Sequence, residues 1–247
     1  MPQPLGGIEM VNSIVDTSQR KAAKIAGFGY LVIIILGIFA EFFIRSKLIV
    51  PGDSATTVQN ILASEGLFRI SIASDLIMLL FDVMVAWALY VILKHFHKSL
   101  SLLAAWFRLL HAGIYGITLM TLFLVLLLVS GAGYLTVFGT DQLHALVLLF
   151  LNGHSYGYDL GLVFFAFHCF VLGSLVYKSG YFPRVLGVLM IAASFVYFIG
   201  SLTRFLFPVY VTLIQPIYIV AFIAELSLSL WLLFKGVRVK LQDEIAS

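Results

Sequence analysis

The chain has 247 residues, of which 62% are hydrophobic and 11% are charged, and its formal net charge is +3. Charged residues make up about a quarter of an ordinary soluble domain, so this composition excludes a water-soluble fold and makes the lipid bilayer the expected partner. The basic residues are dispersed rather than clustered, which excludes a nucleic-acid partner. The single cysteine, Cys169, excludes a disulfide within the chain and a cysteine-based zinc site.

Long apolar stretches divide the chain into segments that suit bilayer crossing, which takes about 20 residues. We predict an all-α, polytopic membrane bundle of six transmembrane helices. The predicted spans are 25–44, 70–93, 100–129, 153–177, 185–207 and a sixth that ends at Leu233. The transmembrane domain is then residues 20–236, between a disordered cytoplasmic tail at 1–19 and a cytoplasmic tail at 237–247.

Two connecting stretches have features of their own. Pro51 to Ser54 predicts a turn followed by a helix N-cap. A short interfacial helix near 55–65 should then lie on the outer membrane surface. The apolar run 142–151 is too short to span a bilayer. Its sequence leaves open whether it is interfacial, re-entrant or part of the fourth span.

The positions of lysine and arginine predict that both termini are cytoplasmic. With that orientation the outer side carries only Arg45, Lys47, Arg69 and Arg204. The inner side carries Arg20, Lys21, Lys24, Lys94, Lys98, Lys178, Arg184, Lys235, Arg238 and Lys240. This excess of inner positive charge is typical of a multi-pass protein of the cell membrane.

Polar residues inside the predicted spans form stripes. An ionisable group at mid-membrane costs at least about 2.5–3.5 kcal/mol, so each should face the bundle interior. Counting about 1.5 Å per residue from the inner ends puts them at two depths. The layer near mid-membrane holds Asp82, Arg108, His111, His168, Ser194 and Glu225. The layer nearer the outer face holds Glu41, Asp75, Asp159, Arg204 and Gln215.

Arg108 is the fixed cation of the predicted mid-membrane layer. Its guanidinium suits a carboxylate, so pairing with Asp82 or Glu225 makes its burial tolerable, and the sequence does not decide between them. The second acid would be protonated, bonded to a histidine, or available to a guest. A buried ion pair is equally compatible with a purely structural clamp between helices.

The leading functional hypothesis is a buried cavity that binds a small amphipathic molecule or lipid, in a binding or transport-associated subunit. The predicted ligand-binding residues are Asp75, Asp82, Arg108, His111, Asp159, His168 and Glu225. One alternative is an intramembrane lipid-modifying enzyme similar to metal-dependent hydrolases. Another is a structural or accessory subunit without a ligand. No cofactor, metal ligand or catalytic residue is assigned, and a homo-oligomer stays open.

Four phrases in a fixed order resemble the bacterial family known as domain of unknown function 4386. They are Ala88 to Lys94, Phe107-Arg108-Leu109, Lys178 to Gly187, and Glu225 followed by Trp231 to Gly236. The likeness extends from about Arg20 to Gly236 and implies a six-span prokaryotic integral membrane protein, with no activity to transfer. The family pattern implies an acid at Asp75, an arginine at Arg108 and a glutamate at Glu225. It implies no fixed histidine at His111, which disfavours a haem or zinc site there.

Overall fold

The computed structural model describes the backbone of residues 6–237 and the side chains of residues 18–237. This part of the chain is helical and contains no strand, so the predicted all-α class is confirmed. Its main helices are α1 (Gly6–Ile38), α2 (Ser54–Ala63), α3 (Glu65–Leu128), α4 (Thr140–Ser179), α5 (Arg184–Leu206) and α6 (Tyr218–Phe234). α1 begins inside the stretch predicted as a disordered tail. Residues 1–5 of that tail, Arg238, Lys240 and the remaining C-terminal tail lie outside the described residues.

Five helical segments of the described chain are long and apolar enough to cross a membrane. They are Ser18–Leu48, Glu65–Leu128, Thr140–Ser179, Arg184–Leu206 and Pro208–Phe234. Their outward faces carry large apolar side chains, such as Leu80 and Ile117, which are 68% and 75% exposed. Hydrocarbon, unlike water, accepts such a surface at no free-energy penalty, so the helices are those of a membrane-embedded protein.

The first apolar helix runs further than predicted. After α1 the chain continues through a π-helical segment, Phe39–Arg45, and a final turn, Ser46–Leu48. The sequence prediction ended this span at Ile44 and was short because it treated the charge of Arg45 as a boundary. The turn and N-cap before α2 are confirmed, since Asp53 accepts a hydrogen bond from the backbone N–H of Thr56 at 2.9 Å.

α3 is two antiparallel arms joined by a kink at His97. That residue has non-helical backbone angles (φ −153°, ψ 93°), and its Nδ1 accepts a hydrogen bond from the N–H of Leu100 at 3.2 Å. We call residues 65–96 the first arm and residues 98–128 the second arm. Asp82 on the first arm contacts Arg108 on the second. Because this pair is centred near His97 in sequence, the two arms fold back on each other.

α4 includes the run 142–151, whose placement the sequence left open. The helix has 40 residues, about 60 Å at the usual rise, whereas the hydrocarbon core of a bilayer is about 30 Å thick. Its first turns do not stand alone, because Val147 and Leu151 share an apolar cluster with Val58 and Ile61 of α2. This packing explains why a run too short to span is nevertheless helical.

Apart from the short helix α2, the helices pack on their neighbours in chain order and close into a ring. α1 packs on α3, α3 on α4, α4 on α5, α5 on α6, and α6 returns to α1. α4 approaches α3 closely at two glycines, since Gly157 lies against Thr118 and Gly161 lies against His111. α4 also approaches α5 closely at Gly173 and Gly187. The ring leaves a central axis toward which the polar stripes turn.

The α4–α5 contact gives a first prediction. A Cβ on Gly187 would lie 2.6 Å from the backbone nitrogen of Tyr177 and 2.7 Å from the carbonyl oxygen of Gly173. Gly187→Ala should therefore destabilise the protein by about 1–3 kcal/mol, as overpacking does. Gly113 is the control, because a Cβ there meets nothing within 4 Å. Gly113→Ala should be neutral or stabilising by up to about 1 kcal/mol; equal denaturation midpoints in detergent would contradict this account of the contact.

Candidate functional site

Arg108 is the centre of the inner polar layer and is 1% exposed. Its Nη2 donates to Oδ1 of Asp82 at 2.5 Å, and its Nη1 donates to the hydroxyl of Tyr30 at 2.8 Å. The guanidinium carbon lies 4.5 Å from the centre of the Tyr30 ring and 5.2 Å from that of Phe165. Asp82 is therefore the acid that pairs with Arg108. The guanidinium joins α1, both arms of α3 and α4.

His168 contacts the guanidinium of Arg108. Its Nδ1 lies 2.8 Å from the carbonyl oxygen of Ala104, and its Nε2 lies 3.4 Å from Nη1 of Arg108. A carbonyl oxygen only accepts hydrogen bonds, so Nδ1 carries the proton and Nε2 is left to accept from the guanidinium. This orientation makes His168 a neutral acceptor that holds Arg108 in place.

Glu225 on α6 is the second acid of the inner layer and is 8% exposed. The hydroxyl of Tyr197 on α5 donates to its Oε1. Within residues 18–237, whose side chains are described, Glu225 forms no salt bridge and its Oε2 accepts no hydrogen bond. Glu225, the acid that does not pair with Arg108, is thus bonded to a tyrosine and has no salt-bridge partner in the described part of the chain.

A cavity of about 60 Å³ lies between these groups on the axis of the bundle. Each of α1, the two arms of α3, α4, α5 and α6 contributes to its wall, for example through Ile33, Asp82, Arg108, Tyr158, Tyr197 and Glu225. One water-sized group needs about 10–15 Å³, so the cavity has room for about four to six of them. Two wall residues have buried nitrogens without a hydrogen-bond partner in the described structure, namely Nε of Arg108 and Nδ1 of His111.

The outer polar layer is built around Arg45, which is 5% exposed. Its Nη1 and Nη2 donate to the two carboxylate oxygens of Asp75 at 2.5 and 3.3 Å, and its Nε donates to Glu41 at 2.8 Å. The sequence analysis placed Arg45 among the outer-side charges and did not predict that it is buried against Asp75 at the π-helical end of α1. The four-residue spacing of Glu41 and Arg45 was the available signal.

An aromatic cluster connects the two layers. The ring of Tyr115 lies 6.2 Å from that of His111, 5.8 Å from that of His154 and 5.1 Å from that of Tyr158. Tyr115 also borders the cavity, and its hydroxyl is hydrogen-bonded to Asp75. Tyr115 therefore separates the cavity from the Arg45–Asp75 pair.

The structure divides the predicted ligand-binding residues into two groups. Asp82, Arg108, His111 and Glu225 border the cavity. Asp75 is held by Arg45, Asp159 forms an ion pair with Arg204 between α4 and α5, and His168 lies behind Arg108. Tyr30 and Tyr197 were not predicted as partners, because a tyrosine in a span is as readily an apolar packing residue.

The geometry does not favour a metal centre in the described region. Among residues 18–237, no group of three or more His, Cys, Asp or Glu side chains is placed to hold a metal ion. A zinc site in the hydrolase-like alternative would take His111, His168 and an acid as its three protein ligands. His168 is instead committed to Ala104 and Arg108.

An apolar helical ring around two buried ion-pair layers defines a membrane-embedded helical protein with a polar core. The chain belongs to the family described as "Domain of unknown function (DUF4386)", whose model matches residues 25–236. This confirms the resemblance found in the sequence.

The chain is also similar to an archaeal protein. An uncharacterized protein of Archaeoglobus fulgidus is 33% identical over 166 residues, which cover 67% of this chain and 83% of that relative. No solved structure matches the chain. The predicted bacterial origin stays a prediction.

Proposed function

We propose that the chain crosses the membrane six times, with both termini in the cytoplasm. Each arm of α3 exceeds the roughly 20 residues that a crossing needs, and the kink between them lies beside Lys94 and Lys98. That charge favours an inner position for the kink.

Labelling with a membrane-impermeant maleimide on intact cells tests the topology. In a Cys169→Ser background, Ser130→Cys after the second arm should be labelled from outside. Ser99→Cys at the kink should be labelled only after the membrane is opened. The reverse pattern would contradict the proposed orientation, and labelling of both from outside would contradict a separate crossing by the second arm.

We propose that the central cavity binds a small amphipathic molecule, as a binding or transport-associated membrane protein. The observation that carries this proposal is Glu225, a buried acid that borders a cavity and forms no salt bridge with any side chain of residues 18–237. A structural clamp is already complete with Asp82 and Arg108. A second, unpaired acid adds only a penalty to a clamp, whereas it gives a binding cavity a group that recognises a guest.

The volume of the central cavity limits the size of the group that can bind in it. Sites for drug-sized ligands occupy about 300–1,000 Å³, and this cavity is much smaller, at about 60 Å³. A whole lipid does not fit inside. The guest is therefore a single-chain amphiphile whose small polar end enters the cavity while its tail stays among apolar helices.

Binding of decyl amphiphiles tests this function. Decylammonium, decanol and decanoate are titrated in a neutral detergent while the melting temperature is followed, and at least one should raise it. Leu162→Phe should abolish the shift, because Leu162 is part of the cavity wall. Leu160→Phe is the matched control, since Leu160 is exposed on the same helix. No shift with any amphiphile, or an equal loss in both variants, would contradict the proposed binding.

A further inference from the structure

We infer that the polar end of the guest is a small cation, a primary ammonium group that donates hydrogen bonds to Glu225. The inference rests on the proposed function and adds the chemical class of the ligand. It follows from the charges of the cavity wall, the free oxygen of Glu225 and the rings around it.

Charge balance is the first argument. Within residues 18–237, the cavity wall carries two acids, Asp82 and Glu225, and one arginine, Arg108. The contact between Arg108 and Asp82 at 2.5 Å neutralises both. Glu225 is the acid that has no such contact within the same residues, and a cation in the cavity favours its ionised form whereas an anion disfavours it.

His111 does not supply the missing positive charge. Its ring lies 4.9 Å from that of Phe165 and borders the cavity together with Arg108. An imidazolium there would be a second buried cation on the same wall as the guanidinium, whereas a neutral ring buries no charge. Because His111 is neutral, it does not offset the negative charge of an ionised Glu225.

Hydrogen-bonding capacity is the second argument. Tyr197 occupies Oε1 of Glu225, and Oε2 accepts nothing from the described protein. A carboxylate oxygen with free lone pairs accepts a hydrogen bond from an N–H or O–H donor, and a positively charged donor makes the stronger bond. A primary ammonium has three such protons, whereas a quaternary ammonium has none.

The rings around the carboxylate are the third argument. Phe165, Tyr158 and Tyr197 all border the cavity, and aromatic rings attract a desolvated cation.

The Nε of Arg108 has no partner in the described structure and needs an acceptor. A water beside the ammonium meets that need, and both fit in about 60 Å³.

The experiment compares head groups on one tail. Decylammonium, decanol and decanoate are titrated into the wild-type protein, Glu225→Gln and Glu41→Gln. Glu41 is the matched control, because its side chain is 60% exposed at the outer layer. Wild type and Glu41→Gln should bind decylammonium on the order of tenfold to a hundredfold more tightly than decanol, the range of a charge-assisted hydrogen bond. Glu225→Gln should bind the two about equally.

The outcomes separate the two proposals. Decanol or decanoate binding as tightly as decylammonium would overturn the inference and leave the proposed function standing, as would a preference that survives in Glu225→Gln. No binding of any of the three would overturn both. If Glu225→Gln does not fold, Tyr197→Phe provides a second test, because this variant keeps the carboxylate of Glu225 and frees its Oε1. It should retain the preference for decylammonium.

Discussion

Replacing Arg108 by methionine is expected to destabilise the protein by about 3–5 kcal/mol, the usual penalty for removing one partner of a buried ion pair. Methionine fills part of the space of arginine but leaves the carboxylate of Asp82, 6% exposed, without its cation. It also removes the hydrogen bond to Tyr30 that joins α1 to the second arm. Reversible unfolding in mixed detergent micelles measures the change.

The double variant Arg108→Met with Asp82→Leu tests the reason for that loss. It removes both charges, so most of the lost stability should return, as it does when a buried pair is replaced by apolar residues. A double variant as unstable as Arg108→Met alone would show that Asp82 is not the group left uncompensated.

Replacing Arg45 by methionine has the second-largest expected effect, again about 3–5 kcal/mol. Asp75 is 0% exposed and would lose both of its hydrogen bonds to the guanidinium. The hydroxyl of Tyr115 would then be its remaining partner.

Arg69→Met is the matched control for Arg45→Met. Arg69 also pairs with a glutamate four residues before it, Glu65, but both side chains are largely exposed. Exposed pairs contribute only about 0–1 kcal/mol, so this variant should unfold close to the wild-type midpoint. Equal effects of the two substitutions would contradict the view that Asp75, rather than the helical Glu–Arg pair, makes Arg45 important.

Hydropathy and helical periodicity predicted the all-helical class, and they predicted that Asp82, Arg108 and Glu225 face the interior. Those signals are local, since 20 apolar residues identify a membrane helix and a three- and four-residue repeat identifies a face. The partner of Arg108 was not predictable in this way. Asp82 and Glu225 have similar depths by residue count, and only the rotation of each helix selects Asp82.

Arg45 shows a different limit of sequence reasoning. A charge at the end of an apolar run is usually a boundary residue, and Arg45 was predicted to be one, on the outer side. The π-helical segment Phe39–Arg45 changes the rotation of the helix end and buries the side chain against Asp75. The helicity of 142–151 likewise depends on contacts with α2, which lies far away in sequence.

A high-resolution experimental structure in lipid nanodiscs tests most directly whether the buried charges form a binding cavity or only a clamp. The account predicts non-protein density on the bundle axis, within hydrogen-bond distance of Oε2 of Glu225 and Nε of Arg108. It also predicts the Arg108–Asp82 pair at the distance seen here, 2.5 Å. A cavity closed by packed side chains, with Glu225 paired directly to a cation of the protein, would contradict the binding account.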